Sequence, residues 1–136
     1  MENCSLCNSI KEDKYRIFME NEHAVAIVIL MPQLEGHCMV VPKRHVIEVD
    51  ELNPEEAYSL NQLLQKARRR IDEVFECSST AMLNGPSQKT QSHVHYQIFP
   101  FKCDTGFREL VSEHFKVPIY LHPSKEENAA IAKKLR

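Results

Sequence analysis

The octapeptide HVHYQIFP, residues 93–100, sets two histidines and a glutamine at every second position. Side chains alternate between the two faces of a strand, so His93, His95 and Gln97 would share one face, opposite Val94, Tyr96 and Ile98. The apolar set can bury in a core and leave the polar set together on an exposed surface. A neutral imidazole titrates near ~6.5 and is a usable nucleophile at neutral pH. It can attack phosphorus, form a phosphoramidate and divide one displacement into two. His95 is the central ring and is best placed for attack, provided one ring nitrogen is held as a donor; a backbone carbonyl could do that. Gln97 cannot act as a base, but its amide N–H can donate to a phosphate oxygen. Spacing alone leaves two alternatives standing, a His-rich exposed strand face and a second metal site.

A second set of candidate residues lies at the other end of the chain. CSLC puts Cys4 and Cys7 at the spacing of half a zinc site. Two further ligands are needed, and no second CxxC or HxxxH lies nearby to supply them. Two ordinary cysteines, or a redox pair, are the competing readings; no thioredoxin-like βαβ unit surrounds the pair to favour the latter.

These residues need elements to position them. Tyr15 to Glu20 reads as a strand, followed by a second over Ala24 to Leu30, whose continuous apolar content predicts burial on both faces. Cys38 to Val41 is a third strand, stopped by Pro42. Asn53 is a helix N-cap, Pro54 suits the first helical position and Glu56 completes a capping box. Ala57, Leu60, Leu64, Ala67, Ile71, Val74 and Phe75 then recur at helical spacing, so this helix should run to about Glu76. Thr80 to Leu83 is a fourth strand and His93 to Phe101 a fifth. Short helices follow over Phe107 to His114 and, capped by Ser124 and Glu127, over Lys125 to Leu135. Strands, one long helix and more strands do not make a regular βαβ alternation. The fold class is therefore α+β with a mainly antiparallel sheet, built as a single domain over residues 1–136.

Composition bounds what such a domain can be. The chain has 136 residues, 26% charged and 43% hydrophobic, with a formal net charge of −2. That is ordinary for a soluble globule and predicts no dedicated nucleic-acid partner; the KARRR stretch, Lys66 to Arg70, reads as a solvated helix face beside Asp72 and Glu73. No apolar run is long enough to span a bilayer, and no secretory signal is evident, so the expectation is a cytoplasmic protein. Five cysteines in a reducing compartment argue against a disulfide framework. With only three glycines and no Walker-type loop, phosphate must be held by side chains and by loop or strand N–H groups.

HVHYQIF resembles the HxHxQ signature of the histidine-triad (HIT) superfamily. In particular it is similar to the branch that includes galactose-1-phosphate uridylyltransferase and the diadenosine tetraphosphate phosphorylases, where Gln takes the place of a third His. GHCMVVPKRHV, Gly36 to Val46, resembles the GHxLVxPKRH segment of that family. Asn84-Gly85 stands where the family has an Asn and a Gly, and CSLC resembles the CxxC that opens many members. The resemblance implies an antiparallel sheet of about five strands with one long helix, assembled as a homodimer, and nucleotidyl chemistry on a nucleotide or dinucleoside polyphosphate. His95 would attack an α-phosphorus, Gln97 would hydrogen-bond the phosphate of the nucleotidyl-histidine intermediate, and Asn84 would contact phosphate or ribose. In zinc-bearing members the metal is held by the residues that correspond to Cys4, Cys7, His45 and His93, so a structural zinc is implied. The alternatives are a phosphorylase that uses inorganic phosphate as acceptor, a nucleotide-binding or scaffolding module with little turnover, and a zinc-stabilised interaction domain without a ligand.

The sequence also departs from the family. Ile29 stands where members carry a ribose-binding acid, so either the ribose is held differently or the substrate is not a standard ribonucleotide. The stretch Lys89-Thr90-Gln91-Ser92 replaces the usual GQSV. Lys89 could hold a polyphosphate leaving group or be solvated, and Thr90 or Ser92 could replace the usual Ser contact. Lys43 and Arg44 could draw anionic phosphate toward the site or be solvated in their loop. His37 is expected to make a structural hydrogen bond, and Cys38, Cys77 and Cys103 to be small core residues.

Overall fold

Five strands form one antiparallel sheet: β1 (Ile17–Glu20), β2 (Ala24–Val28), β3 (Cys38–Pro42), β4 (Thr80–Asn84) and β5 (His95–Phe99), in the order β1-β2-β3-β5-β4. The computed structural model describes residues 3–32, 35–84, 93–101 and 122–136. The α+β class and the antiparallel sheet are those expected. The order puts β5 between two partners, so the HVHYQIFP segment sits inside the sheet rather than at its edge.

Register divides the side chains between two faces. Val25 opposes Val41, Ile27 opposes Met39, and Gln97 lies between Met39 and Met82. Ala24, Ala26, Cys38, Val40 and Ile98 point the other way, into the long helix α2 (Pro54–Phe75), where Leu60, Leu63, Ala67 and Ile71 cover them. The first face carries a short helix, α1 (Ser5–Glu12), whose Leu6 packs with Val25, Ile27 and Val41. Both faces of β2 are thus covered, which is why Ala24 to Ile27 is apolar at every position.

The long helix begins as its sequence predicts. Asn53 Oδ1 accepts from the Glu56 N–H at 2.8 Å, and Glu56 Oε1 accepts from the Asn53 N–H at 3.0 Å. It ends at Glu76, whose φ of 49° is left-handed, the conformation that closes many helices. At the entry to β3, Gly36 has φ +86°, and a Cβ there would stand 2.5 Å from the Phe75 ring. Only glycine meets both demands.

Several boundaries differ from expectation. Lys14–Arg16 is a 3₁₀ turn rather than the start of β1. Arg16 ties that turn down by donating to Asp13 and Ser9 and to the Val28 carbonyl. β2 ends at Val28, while β3 and β4 run one residue further than predicted, through Pro42 and Asn84. β5 is shorter than 93–101, because the Val94 N–H is spent on the Val46 carbonyl at 2.8 Å instead of on a neighbouring strand. Helix α1 was not anticipated, although Leu6 and Ile10 stand at helical spacing.

The chain divides into two compact units, Met1–Asp104 and Thr105–Arg136. In the second, α3 (Lys125–Leu135) is capped by Ser124 Oγ, which accepts from the Glu127 N–H at 3.1 Å. The helix expected over Phe107 to His114 lies outside the described residues. Among the described residues no helix is long and apolar enough to cross a membrane.

Candidate functional site

Cys4 caps α1 through its sulfur, which accepts from the Cys7 N–H at 3.4 Å, and this turn aims both sulfurs at the sheet. His45 comes from the loop after β3 and His93 from the residue pair before β5. Cys4 Sγ lies 3.5 Å from His93 Nδ1, and Cys7 Sγ lies 3.4 Å from both His45 Nδ1 and His93 Nδ1. One donor atom from each of the four residues falls within 4.8 Å of all the others. Residues separated by up to 89 positions in sequence thus form one N₂S₂ donor set able to hold a metal ion. The orientation of His93 is fixed from behind, since its Nε2–H donates to the Pro42 carbonyl at 2.8 Å and turns the Nδ1 lone pair toward the sulfurs. Burial lowers the His93 pKa to about 4 and, with Cys4 beside it, pushes the Cys7 thiol up.

His95 opens β5. Its Nδ1–H donates to the His93 carbonyl at 2.9 Å, which puts the imidazole lone pair on Nε2. Burial lowers its pKa below the ordinary histidine value, so the ring is neutral at pH 7. Two residues on and on the same face, Gln97 is half-buried, and its Oε1 accepts from His37 Nε2–H at 2.7 Å. His37 therefore makes the structural hydrogen bond expected of it and stands apart from the sulfur cluster. Asn84 is the last residue of β4 and pairs with His95 in the ladder.

Some expectations need correction. The polar trio does not lie on an exposed surface: His93 is 1% exposed and His95 2%, and Gln97 alone of the three is half-buried. The Cys4–Cys7 turn of α1 covers His93, a layer the unpredicted helix supplies. Lys43 and Arg44 are not loose cations awaiting phosphate. Lys43 pairs with Glu20 at 3.2 Å, and Arg44 grips Glu56 through two 2.8 Å bonds. Cys38 is a core residue, as expected, its thiol pushed up to about 12 by burial. Lys89, Thr90 and Ser92 lie outside the described residues, as do the side chain of Asn84, His114 and Cys103.

Two residues have roles that their sequence positions do not reveal. Glu56 was seen only as a helix cap, yet it also holds Arg44, next in sequence to His45. His37 and Gln97 are brought to one face by the pairing of β3 with β5, which no local sequence signal announces. A cavity of about 370 Å³ lined by Phe18, Val28, Cys38, Ile71, Val74 and Phe75 lies on the α2 side of the sheet, away from these groups.

With this geometry in hand, comparison with known proteins is informative. The chain is 32% identical over 100 residues to the asymmetrical bis(5'-nucleosyl)-tetraphosphatase of Schizosaccharomyces pombe, which covers 71% of this chain and 55% of that enzyme. It is 36% identical over 89 residues to the bis(5'-adenosyl)-triphosphatase of Dictyostelium discoideum, 63% of this chain and 60% of the other. The chain thus spans little more than half the length of these enzymes. In fold it matches the crystal structure of a HIT-family protein from Bacillus subtilis with a TM-score of 0.75 at 24% identity, over 98% of this chain and 94% of that one. Residues 10–102 match the HIT domain family, and the chain belongs to it.

Proposed function

We propose that this chain is a nucleotidyl hydrolase or transferase that works through a nucleotidyl-histidine intermediate on His95, with dinucleoside polyphosphates or nucleotide conjugates as substrates. The observation that carries the reading is the 2.9 Å bond from His95 Nδ1 to the His93 carbonyl, which makes Nε2 the nucleophilic nitrogen. Its relatives' activities on dinucleoside tetra- and triphosphates support the substrate class. In the first step Nε2 attacks an α-phosphorus. A P–N bond forms, the P–O bond to the remaining polyphosphate breaks, and the leaving oxygen takes the electron pair. In the second step water or inorganic phosphate forms a new P–O bond, and the P–N electrons return to Nε2. Throughout, Nδ1–H stays on the His93 carbonyl. Gln97 donates an amide N–H to the phosphate, as the resemblance of HVHYQIF to the HxHxQ signature implies. Asn84, Lys89, Thr90 and Ser92 belong to the same proposal as phosphate- or ribose-contacting residues.

The reading includes a structural zinc held by Cys4, Cys7, His45 and His93. The donor set fits that ion. Tetrahedral bonds of about 2.3 Å to sulfur and 2.0 Å to nitrogen set neighbouring S and N ligands about 3.5 Å apart, and three of the S–N separations here are 3.4 or 3.5 Å, with all four donors within 4.8 Å of one another. When bound, the ion would hold α1, the His45 loop and the approach to β5 together. The chemistry at phosphorus belongs to His95.

A second reading, a nucleotide-binding module with little turnover, is favoured by one observation: His95 is only 2% exposed, and phosphorus must reach it. One experiment separates the two. Incubation with diadenosine tetraphosphate should give AMP plus ATP if water is the acceptor, or ADP plus ATP if phosphate is. His95→Ala should lose this turnover by about 10³-fold or more while remaining folded. Binding without product, or turnover that survives His95→Ala, would overturn the enzymatic reading.

A further inference from the structure

We propose that His37 is a positioning residue that sets which way the Gln97 amide faces. The inference rests on the reading above, in which Gln97 serves the phosphate. A glutamine amide turns about a broad terminal torsion, and its two ends are nearly the same size. Packing alone does not tell its oxygen from its nitrogen; a hydrogen-bond donor does. His37 Nε2 stands 2.7 Å from Gln97 Oε1 and so holds the oxygen end, turning the NH₂ end away from the His37 ring. With the amide reversed, an oxygen lone pair would meet the phosphate anion where an N–H is needed.

The His37 ring is itself fixed. It is 3% exposed and stacks on Phe99 with centroids 4.3 Å apart and planes at 27°. Phe99 is two residues beyond Gln97 on β5 and therefore on the same face. The His37 carbonyl receives the Ile29 N–H at 3.2 Å, and Gly36 before it is pressed against Phe75 in a conformation reserved for glycine. A rigid ring thus presents one N–H to a side chain that needs exactly such a reference; no ionisation of His37 is involved.

A double-mutant cycle tests this in the intact protein. His37→Phe keeps an aromatic ring for stacking and removes the donor; His37→Gln restores an N–H. With diadenosine tetraphosphate, His37→Phe should lower kcat about tenfold with little change in KM, and His37→Gln should recover part of the loss. In a Gln97→Ala background His37→Phe should cost nothing more, because the group it orients is gone. Additive losses would make His37 merely structural and overturn the proposal. A second readout needs no activity: ¹⁵N spectra of the His37 ring report which nitrogen carries the proton. Nε2–H is required, and an Nδ1–H tautomer overturns the proposal even if the wild type proves inactive, an outcome that would separately end the enzymatic reading.

Discussion

The two faces of the sheet are held by different physics. On the α2 side, Leu60, Leu63, Ala67 and Ile71 meet Ala24, Ala26, Val40 and Ile98 in a wholly apolar contact. Each large buried side chain there contributes about 1.5–3 kcal/mol, without direction and shared among many neighbours. On the opposite side, α1 has only eight residues, far short of the length at which a helix holds itself in water. Its apolar contribution is chiefly Leu6 and Ile10, Arg16 ties it through Ser9 at 2.7 Å, and its link to the β5 end of the sheet runs through two sulfurs aimed at two imidazoles. One face therefore has redundancy and the other depends on a point. His95 and Gln97 lie on the face that depends on a point, so loss of the cluster should reach the candidate site, whereas damage to the apolar face should not.

The largest effect expected is on the sulfur face. With zinc held as proposed, removing it with a chelator, or making Cys4→Ser/Cys7→Ser, should destabilise the protein by several kcal/mol, about half of what zinc contributes to small zinc domains. Thermal melts with and without chelator would read this, alongside metal analysis of the purified protein. The chelator should lower the Tm of wild type and leave that of Cys4→Ser/Cys7→Ser unmoved. A wild type that is metal-free, well folded and indifferent to chelator would remove the asymmetry between the faces.

Next in size is the apolar face. Leu63 is 1% exposed beneath α2, and Leu63→Ala should cost about 3 kcal/mol through lost burial and the cavity left behind. Metal content and, below the melting transition, turnover should stay as in wild type. Combined with chelation the two losses should add, since the sheet lies between them. A Leu63→Ala protein that loses its metal would mean that the faces are coupled through β2 and β3, and the division drawn above would be wrong.

The same contrast explains what the sequence made legible. The α2 face follows from local rules: Asn53, Pro54 and Glu56 mark the helix start, and the apolar residues after it recur at a single period. The strands were readable for the same reason, within a residue or two. On the other face the ligands are far apart in sequence, and no period connects Cys4 with His93. CSLC gave only half a site until the resemblance supplied His45 and His93. Helix α1 is not legible in the sequence because Leu6 and Ile10 are too few to set a period. The burial of His95 was missed for a related reason, since alternation along β5 assigns residues to a face but does not say what covers that face.

The smallest effect joins the two faces. Glu56 sits in the first turn of α2 and is buried, yet it reaches across to Arg44, the neighbour of His45. The Arg44 guanidinium, with the Asn53 N–H, holds the Glu56 carboxyl down at about 2, against its ordinary value of 4.5. Because the folded pKa is depressed, the stabilisation is complete above about pH 4.5 and is lost as pH falls toward about 2. Arg44 is more than half exposed and the pair is screened by water, so about 1–2 kcal/mol is the expected size. Glu56→Gln keeps a capping-box acceptor and removes the charge. Denaturation of wild type and Glu56→Gln across this range should show a constant difference near neutral pH that shrinks toward zero in acid. A difference that ignores pH, or no difference at all, would show that the Glu56 charge contributes nothing, leaving the two faces without a charged tie between them.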